Sequence, residues 1–517
     1  MPQYVSWWWQ VMNTNKHDLT SPVLVTVFVL IGAAILWYRS TLSSKLPPGP
    51  RNLPIVGYLP FLGPNLHTEF TNMAHTYGPI FKIWLGSKLY VVINTPELAK
   101  TVVRDQDETF ANRSLTVAAS VLTYGGQDIV WSNNNSSWRN LRKILVHEVL
   151  SNKNLEASRF LRRDEVRKTI KDVYSKIGTK IDIKEISFVT IANVLTSMVW
   201  GKDAHLGDEF QMVASKIVEM FGRPNLSDFF PFLTWFDLQG VKRETKRHVK
   251  NLDRIFTSMI DDRIKSNSEG VTIGHEGKKD LLQILLELKD QKDTTSLDIN
   301  NIKALLTDIM LAGTETTTSL IQWAMAEIMQ NRNVMERVQE ELAEIVGPNN
   351  IVEESHLPKL KYLDATIKET LRLHPGVPLL IPRSPSQNCT VGGYTIPKGC
   401  TVFLNVWAIF RDPRYWDNPL EFNPERFLAR DETDKYDFKG NNLKFLPFGS
   451  GRRLCPGVPL AEKMQMYILA SLLHSFDWSL PKGEEHDFSD IFSLALQKIK
   501  PLVAIPSQRL TDVSLYM

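Results

Sequence analysis

The run Phe448-Gly449-Ser450-Gly451-Arg452-Arg453-Leu454-Cys455-Pro456-Gly457 decides how the rest of the chain is read. It sets one cysteine on a glycine-rich loop, with Arg452 and Arg453 before it and an apolar helical pattern from Val458 to Phe476 after it. A thiolate held there is an anion at a helix N-terminus. The aligned amides, the helix dipole and the neighbouring guanidinium groups all favour the deprotonated sulfur, which is the form that binds metals. Glycines at 449, 451 and 457 let backbone come close to a flat, bulky group, and Phe448 can pack beside it. Taken alone, the loop also reads as a buried free cysteine beside a glycine turn.

Working outward, the chain has 517 residues, 43% of them hydrophobic and 23% charged, enough for a large core. A net charge of +3 is too small for a nucleic-acid footprint. The three cysteines, Cys389, Cys400 and Cys455, form an odd and sparse set that argues for a reducing compartment without disulfides. Cys389 and Cys400 read as small packed apolar side chains.

Residues 21–38 (SPVLVTVFVLIGAAILWY) carry no charge, and at ~1.5 Å per residue they nearly span a bilayer core. The stretch is expected to be a transmembrane anchor. Trp7, Trp8, Trp9, Trp37 and Tyr38 suit the headgroup interfaces, and Arg39, Lys45 and Arg51 predict a cytoplasmic body and a lumenal segment at 1–20. A cleaved signal peptide is the rival, but the run exceeds the ~7–15 residues of a signal core and no basic segment closely precedes it. Residues 39–50, ending in Leu46-Pro47-Pro48-Gly49-Pro50, read as a stiff proline-rich hinge before one domain at 51–517.

Within that body, Ile80 to Asn94 reads as two strands around Gly86-Ser87, followed by a helix opening at Pro96. Helical periodicity dominates from Trp138 to about Arg372, and short strands return after Pro375, including a Gly392-Gly393 hairpin. The expected fold is mainly α with a smaller β lobe. The long helix from Leu305 to Gln330 is interrupted by Ala312-Gly313-Thr314-Glu315-Thr316-Thr317, where glycine costs about 1 kcal/mol relative to alanine. A Thr316 hydroxyl bonded to the Ala312 carbonyl would bend the ladder there. Glu369 and Arg372 share a helix face and can pair, by about a few tenths of a kcal/mol if exposed. The segment 228–236 (DFFPFLTWF) reads either as a core turn or as a loop that dips into a membrane.

The cysteine loop matches Phe-x-x-Gly-x-Arg-x-Cys-x-Gly, and in this the chain resembles the cytochrome P-450 family. Ala312 to Thr317, Glu369-x-x-Arg372 and Pro424-Glu425-Arg426-Phe427 resemble three further motifs of that family, in its order. The resemblance implies a cytochrome P-450 fold behind a single N-terminal transmembrane helix, in the manner of a plant microsomal member, nearest in appearance to the cadinene hydroxylase branch. It implies haem b, with Cys455 as the axial iron ligand, Phe448 packed beside the ring, and Trp138, Arg142, Arg383 and Arg453 as partners of its propionates. Glu369, Arg372 and Arg426 would hold the cysteine loop in place.

The implied reaction is monooxygenation. Gly313 would leave room for dioxygen, Thr316 would donate a hydrogen bond to the oxygen being activated, and Glu315 would relay protons from solvent. Electrons would come from an NADPH-dependent cytochrome reductase on the endoplasmic reticulum membrane, since the chain carries no nucleotide or flavin fingerprint. The substrate is expected to be small and apolar, a terpene or terpenoid ahead of a flavonoid or phenolic. The pocket segments implied are 114–128, 310–312, 376–381 and 492–496, with Thr116, Thr123 and Tyr124 able to orient a phenol and Asp128 as the one charge. An O2-independent dehydratase or isomerase, and a non-catalytic haem-binding membrane protein, are the rival functions.

Overall fold

The computed structural model describes residues 45–201, 207–269, 279–290, 297–428, 436–492 and 495–517, together with 26, 27 and 32. The segment 1–20, nearly all of the anchor 21–38 and residues 39–44 of the hinge lie outside the described residues. The rest of the hinge meets the edge of the sheet at Pro48 and a separate hairpin at Lys45. Pro48 O accepts from Lys82 N at 2.7 Å and Lys45 O from Thr395 N at 2.8 Å.

The β lobe forms where β-branched and aromatic residues cluster. Strands β1 (Ile80–Leu85) and β2 (Lys88–Ile93) pair antiparallel in the register Leu85↔Lys88, so Gly86-Ser87 is the turn read from the sequence. Strands β3 (Asn112–Arg113), β4 (Arg383–Ser384) and β5 (Thr401–Leu404) complete a sheet in the order β1-β2-β5-β4-β3. β2 lies between β1 and β5, and the burial of its Leu-Tyr-Val-Val-Ile run follows from that central place. The Gly392-Gly393 hairpin is present as expected, with Val391 opposite Tyr394.

Helices make up the larger part. Those used below are α1 (Leu66–Tyr77), α2 (Ser136–Ile144), α3 (Ile183–Trp200), α4 (Gly313–Gln330), α5 (Lys361–Leu373) and α6 (Val458–Ser475). α1 packs on β1 and seals a small core of Phe70, Phe81, Tyr90 and Leu379. α4 is buried along almost its whole length and packs against α3, α5 and α6. α3 is long and apolar enough to cross a membrane, but 72% of it is buried in the body, which makes it an interior helix.

The break in the long helix lies one turn earlier than its sequence suggests. A π-helical turn spans Asp308–Ala312, and Gly313 already has regular helical angles, φ −69° and ψ −37°. Thr316 Oγ1 donates to Ala312 O at 2.6 Å, the bond expected. Such wide turns recur at functional sites because they rotate side chains out of helical register. The Glu369–Arg372 pair is not exposed: both side chains are fully buried, and Arg372 donates to both carboxylate oxygens at 2.7 and 2.8 Å.

The aromatic segment divides. Phe229 and Phe230 pack inward, while Phe232, Trp235 and Phe236 stand 65%, 93% and 70% exposed, so the core-turn reading fails for those three. The segment is tied to the β1–β2 turn, since Ser87 donates to Phe229 O through its N–H at 3.0 Å and its hydroxyl at 2.9 Å.

Candidate active site

The cysteine loop is folded by its glycines. Gly451 has φ +69°, and a Cβ there would lie 2.3 Å from Val103 O, so only glycine lets the loop lie against that backbone. Cys455 N then donates to Phe448 O at 3.0 Å and α6 begins three residues later, at Val458. The thiol lines a cavity of about 310 Å³. Burial pushes the Cys455 thiol up, against the Gly457 and Val458 amides and the Arg142 charge, which pull it down. The amides and a guanidinium do act in the direction expected, the guanidinium being that of Arg142. Desolvation outweighs them, and a soft metal is what would displace the proton.

Four arginines line the same cavity. Arg453 donates to Ala111 O at 2.6 Å, Ile129 O at 3.1 Å and Ser132 O, and Arg142 donates to Leu454 O at 2.6 Å. Arg383 donates to Ser450 O at 2.7 Å and meets Asp107 at 3.3 Å. Arg113 donates to Ile381 O at 2.6 Å and Val130 O at 3.0 Å, and it stands directly opposite Arg383 in the β3–β4 ladder. Like charges facing each other across a ladder repel. Burial first, and then Arg383 and Arg142, push Arg453 down to about 9. The cluster is short of negative charge.

Trp138 takes a different place from the one expected. Its indole N–H donates to Ile129 O at 2.9 Å and its ring lies 4.1 Å beneath the Arg453 guanidinium, so it backs the arginines and is not among the cavity's lining residues. Phe448 does line the cavity.

The opposite wall carries Asp308, Ala312, Gly313 and Thr316. A Cβ on Gly313 would meet Leu195 Cδ1 of α3 at 3.0 Å, so this glycine also serves the close packing of two helices. Glu315 is buried but turned off the cavity, accepting from Gln497 Nε2 at 3.2 Å. The pocket's charge is corrected as well. Asp128 is buried behind the wall, and the carboxyl that lines the cavity is Asp308, which accepts from Ile129 N at 2.7 Å. Burial, and then the Asp128 charge, hold the Asp308 carboxyl well above its usual range.

Among the pocket residues expected, Leu122, Ala312, Val377 and Leu380 line the cavity, Val117, Ala118, Val121 and Leu379 do not, and Leu494 lies outside the described residues. Thr116, Thr123 and Tyr124 do not line it. Thr116 caps a short helix, Thr123 Oγ1 donates to Ala119 O at 2.7 Å, and the Tyr124 hydroxyl donates to Asp253 at 2.8 Å. Sequence reasoning missed Arg113 and Asp308. Arg113 ends the short strand after Phe110, and Asp308 sits one turn before the motif that drew attention to the helix.

A thiol on one wall, apolar side chains around it and buried guanidinium groups short of anions fit an iron porphyrin, whose two carboxylates would supply the missing charge. Comparison with known proteins agrees. Residues 47–505 match the family model described as Cytochrome P450. A flavonoid 3′,5′-hydroxylase of Solanum melongena is 36% identical over 95% of this chain and 96% of its own length. A geranylhydroquinone 3″-hydroxylase of Arnebia euchroma is 37% identical over 93% and 98% respectively. A zebra fish cytochrome P450 solved with progesterone superposes with a TM-score of 0.74 at 27% identity, covering 87% of this chain and all of that one.

Proposed function

The chain belongs to the cytochrome P450 family and is a haem b monooxygenase, and on that premise we propose that it hydroxylates a small, largely apolar plant metabolite, a terpene or terpenoid ahead of a flavonoid. The observation that carries this reading is the cavity beyond the thiol. Leu122, Leu195, Ile309, Val377, Leu380 and Ile381 form its walls, and a charged substrate without a partner there would lose several kcal/mol, on the order of a buried unpaired ion. The relative named for geranylhydroquinone supports a prenylated substrate. The one named for flavonoids keeps the phenolic reading open, although Thr116, Thr123 and Tyr124 turn their hydroxyls elsewhere.

In this reading Cys455 holds the iron, and Arg142, Arg383, Arg453 and Arg113 hold the propionates. Trp138 keeps Arg453 flat, and Phe448 packs beside the ring. Haem b, when bound, supplies activation of dioxygen so that one oxygen atom enters a C–H bond of the substrate. The protein excludes water with its apolar walls and keeps the Thr316 hydroxyl on the cavity side of α4, where its proton, now given to the Ala312 carbonyl, becomes available once the hydroxyl turns; Glu315 supplies the proton behind it.

The body is proposed to sit on the endoplasmic reticulum membrane, anchored by residues 21–38 and facing the cytoplasm. Leu53, Ile55 and Phe61 are exposed beside the β1–β2 turn, to which the exposed Phe232, Trp235 and Phe236 are also tied, and aromatic side chains favour bilayer interfaces. Electrons come from an NADPH-dependent reductase on that membrane.

The test is a panel of sesquiterpenes, terpenoid alcohols, flavonoids and aliphatic carboxylates, scored by the substrate-induced shift of the haem spectrum and by turnover with NADPH and a plant reductase. Terpenoids giving both is the expected result. Flavonoids alone giving both would replace the terpene reading, and carboxylates alone would overturn the apolar one.

A further inference from the structure

Glu315 poses a problem for any account of proton supply, because its carboxyl is 2% exposed and does not line the cavity. It faces the other side of α4. There Glu315 Oε2 accepts from Gln497 Nε2 at 3.2 Å, and Gln497 Oε1 accepts from Lys184 Nζ at 3.3 Å. The three side chains come from α4, from the strand Leu496–Lys498 and from the first turn of α3. Gln497 and Lys184 are half-buried, so the row leads from solvent to the buried carboxyl.

The position of Gln497 is fixed by its neighbour. Leu496 O accepts from Ser319 Oγ at 2.6 Å and from Trp323 Nε1 at 3.1 Å, both on α4, which joins the strand to the helix that carries Glu315. Burial pushes the Glu315 carboxyl up, while Lys184, the charged group acting on it, and the Gln497 amide pull it down. A carboxyl under such opposed influences can take and lose a proton at its post.

We propose that Gln497 and Lys184 are positioning residues that form a solvent-side berth for the Glu315 carboxylate, holding it while it takes a proton from water and releasing it once it is neutral. The proposal rests on Glu315 being the proton carrier. The carboxylate is held at the berth by the Lys184 ammonium and the Gln497 N–H. Protonation forms an O–H bond on Glu315, removes its charge and with it the attraction to Lys184. The neutral side chain can then turn toward Thr316, whose hydroxyl oxygen takes that proton as its own leaves the Ala312 carbonyl and passes to the cavity side. The carboxylate so regenerated returns to the berth.

The experiment compares Gln497→Leu, Lys184→Met, Lys184→Arg and Glu315→Gln holoenzymes. The carboxylic acid C=O infrared band that disappears in Glu315→Gln is followed against pH in the resting protein. Gln497→Leu and Lys184→Met should raise its titration midpoint, by about one pH unit for loss of a neighbouring cation. Both should lower product formed per NADPH several-fold and enlarge its solvent deuterium isotope effect, and Lys184→Arg should restore both. Unchanged thermal unfolding and an unchanged spectrum of the reduced CO complex establish that each variant is folded. If Glu315→Gln couples as well as the parent, Glu315 is not the carrier and the berth falls with it. If Glu315→Gln uncouples but the band and the isotope effect stay put in Gln497→Leu and Lys184→Met, the berth alone is overturned.

Discussion

Two groups of buried arginines are held in different ways. On one side Arg372 and Arg426 converge on the fully buried Glu369, at 2.7 and 3.3 Å, and Arg372 also donates to the carbonyls of Phe410, Pro419 and Glu421. That group is closed: its counter-charge belongs to the chain. On the other side Arg113, Arg142, Arg383 and Arg453 find mainly backbone carbonyls, with Asp107 the carboxylate that reaches Arg383. Carbonyl dipoles satisfy the N–H groups without cancelling the charge, which leaves the cluster short of anions, as the proposed haem carboxylates require. In the proposed reading the closed group serves the fold and the open one serves binding.

The largest effect should follow from opening the closed group. Glu369→Gln keeps the shape but leaves Arg372 buried without a charge partner, a loss of about 3–5 kcal/mol. Urea unfolding of the haem-free protein should register it, and a loss below about 1 kcal/mol would put the two groups on the same footing.

The second test reverses the emphasis. Arg453→Met removes a repelled cation but also the donor to the Ala111 and Ser132 carbonyls, so the haem-free protein should lose only about 1–2 kcal/mol, while haem release to an apoglobin should quicken by roughly a hundredfold. Equal losses in both measurements would break the comparison.

Acid groups sharpen it further. Burial and the Asp128 charge hold the Asp308 carboxyl well above its usual range in the folded chain, whereas in the unfolded chain it ionises near pH ~4. A group raised in this way contributes stability that is fully present below that pH and is lost as pH rises toward its folded value. Asp308→Asn, neutral throughout, should flatten the fall in urea midpoint above about pH 4. An unchanged slope would mean that burial and Asp128 do not raise the Asp308 carboxyl in the folded chain.

The smallest effect concerns charge left on the surface near the open group. Lys143 and Lys444 are exposed, and their reversal to Glu should slow the first electron transfer from an acidic reductase by about tenfold at low salt and flatten its ionic-strength dependence. Stopped-flow reduction under CO at several salt concentrations measures both.

What could be read from the sequence was what depends on neighbours in the chain. The Gly86-Ser87 and Gly392-Gly393 turns, the Thr316–Ala312 bond and the cysteine loop before α6 all lie within a few residues. Spacing also placed Trp138 and Arg142 on one face of α2, but it could not tell what that face meets. Ile129 O took the indole N–H. Arg113 went unseen because its role depends on Arg383, and Asp308 because its role depends on Asp128 and the Ile129 amide, partners far along the chain. Glu369 and Arg372 were visible as a pair, yet only the packing of α5 decides that they are buried.

The bonds that close the open arginine group join residues made far apart in time. Arg142 reaches Leu454 across 312 positions, and Arg453 reaches Ala111 across 342. At roughly 5–20 residues added per second, Ala111 leaves the ribosome on the order of tens of seconds before the guanidinium that will meet it. The haem pocket therefore has no nascent form. The cofactor can be captured only after synthesis has passed Cys455, by a chain that has already had to hold its N-terminal half in solution or against the membrane with one wall of the site missing.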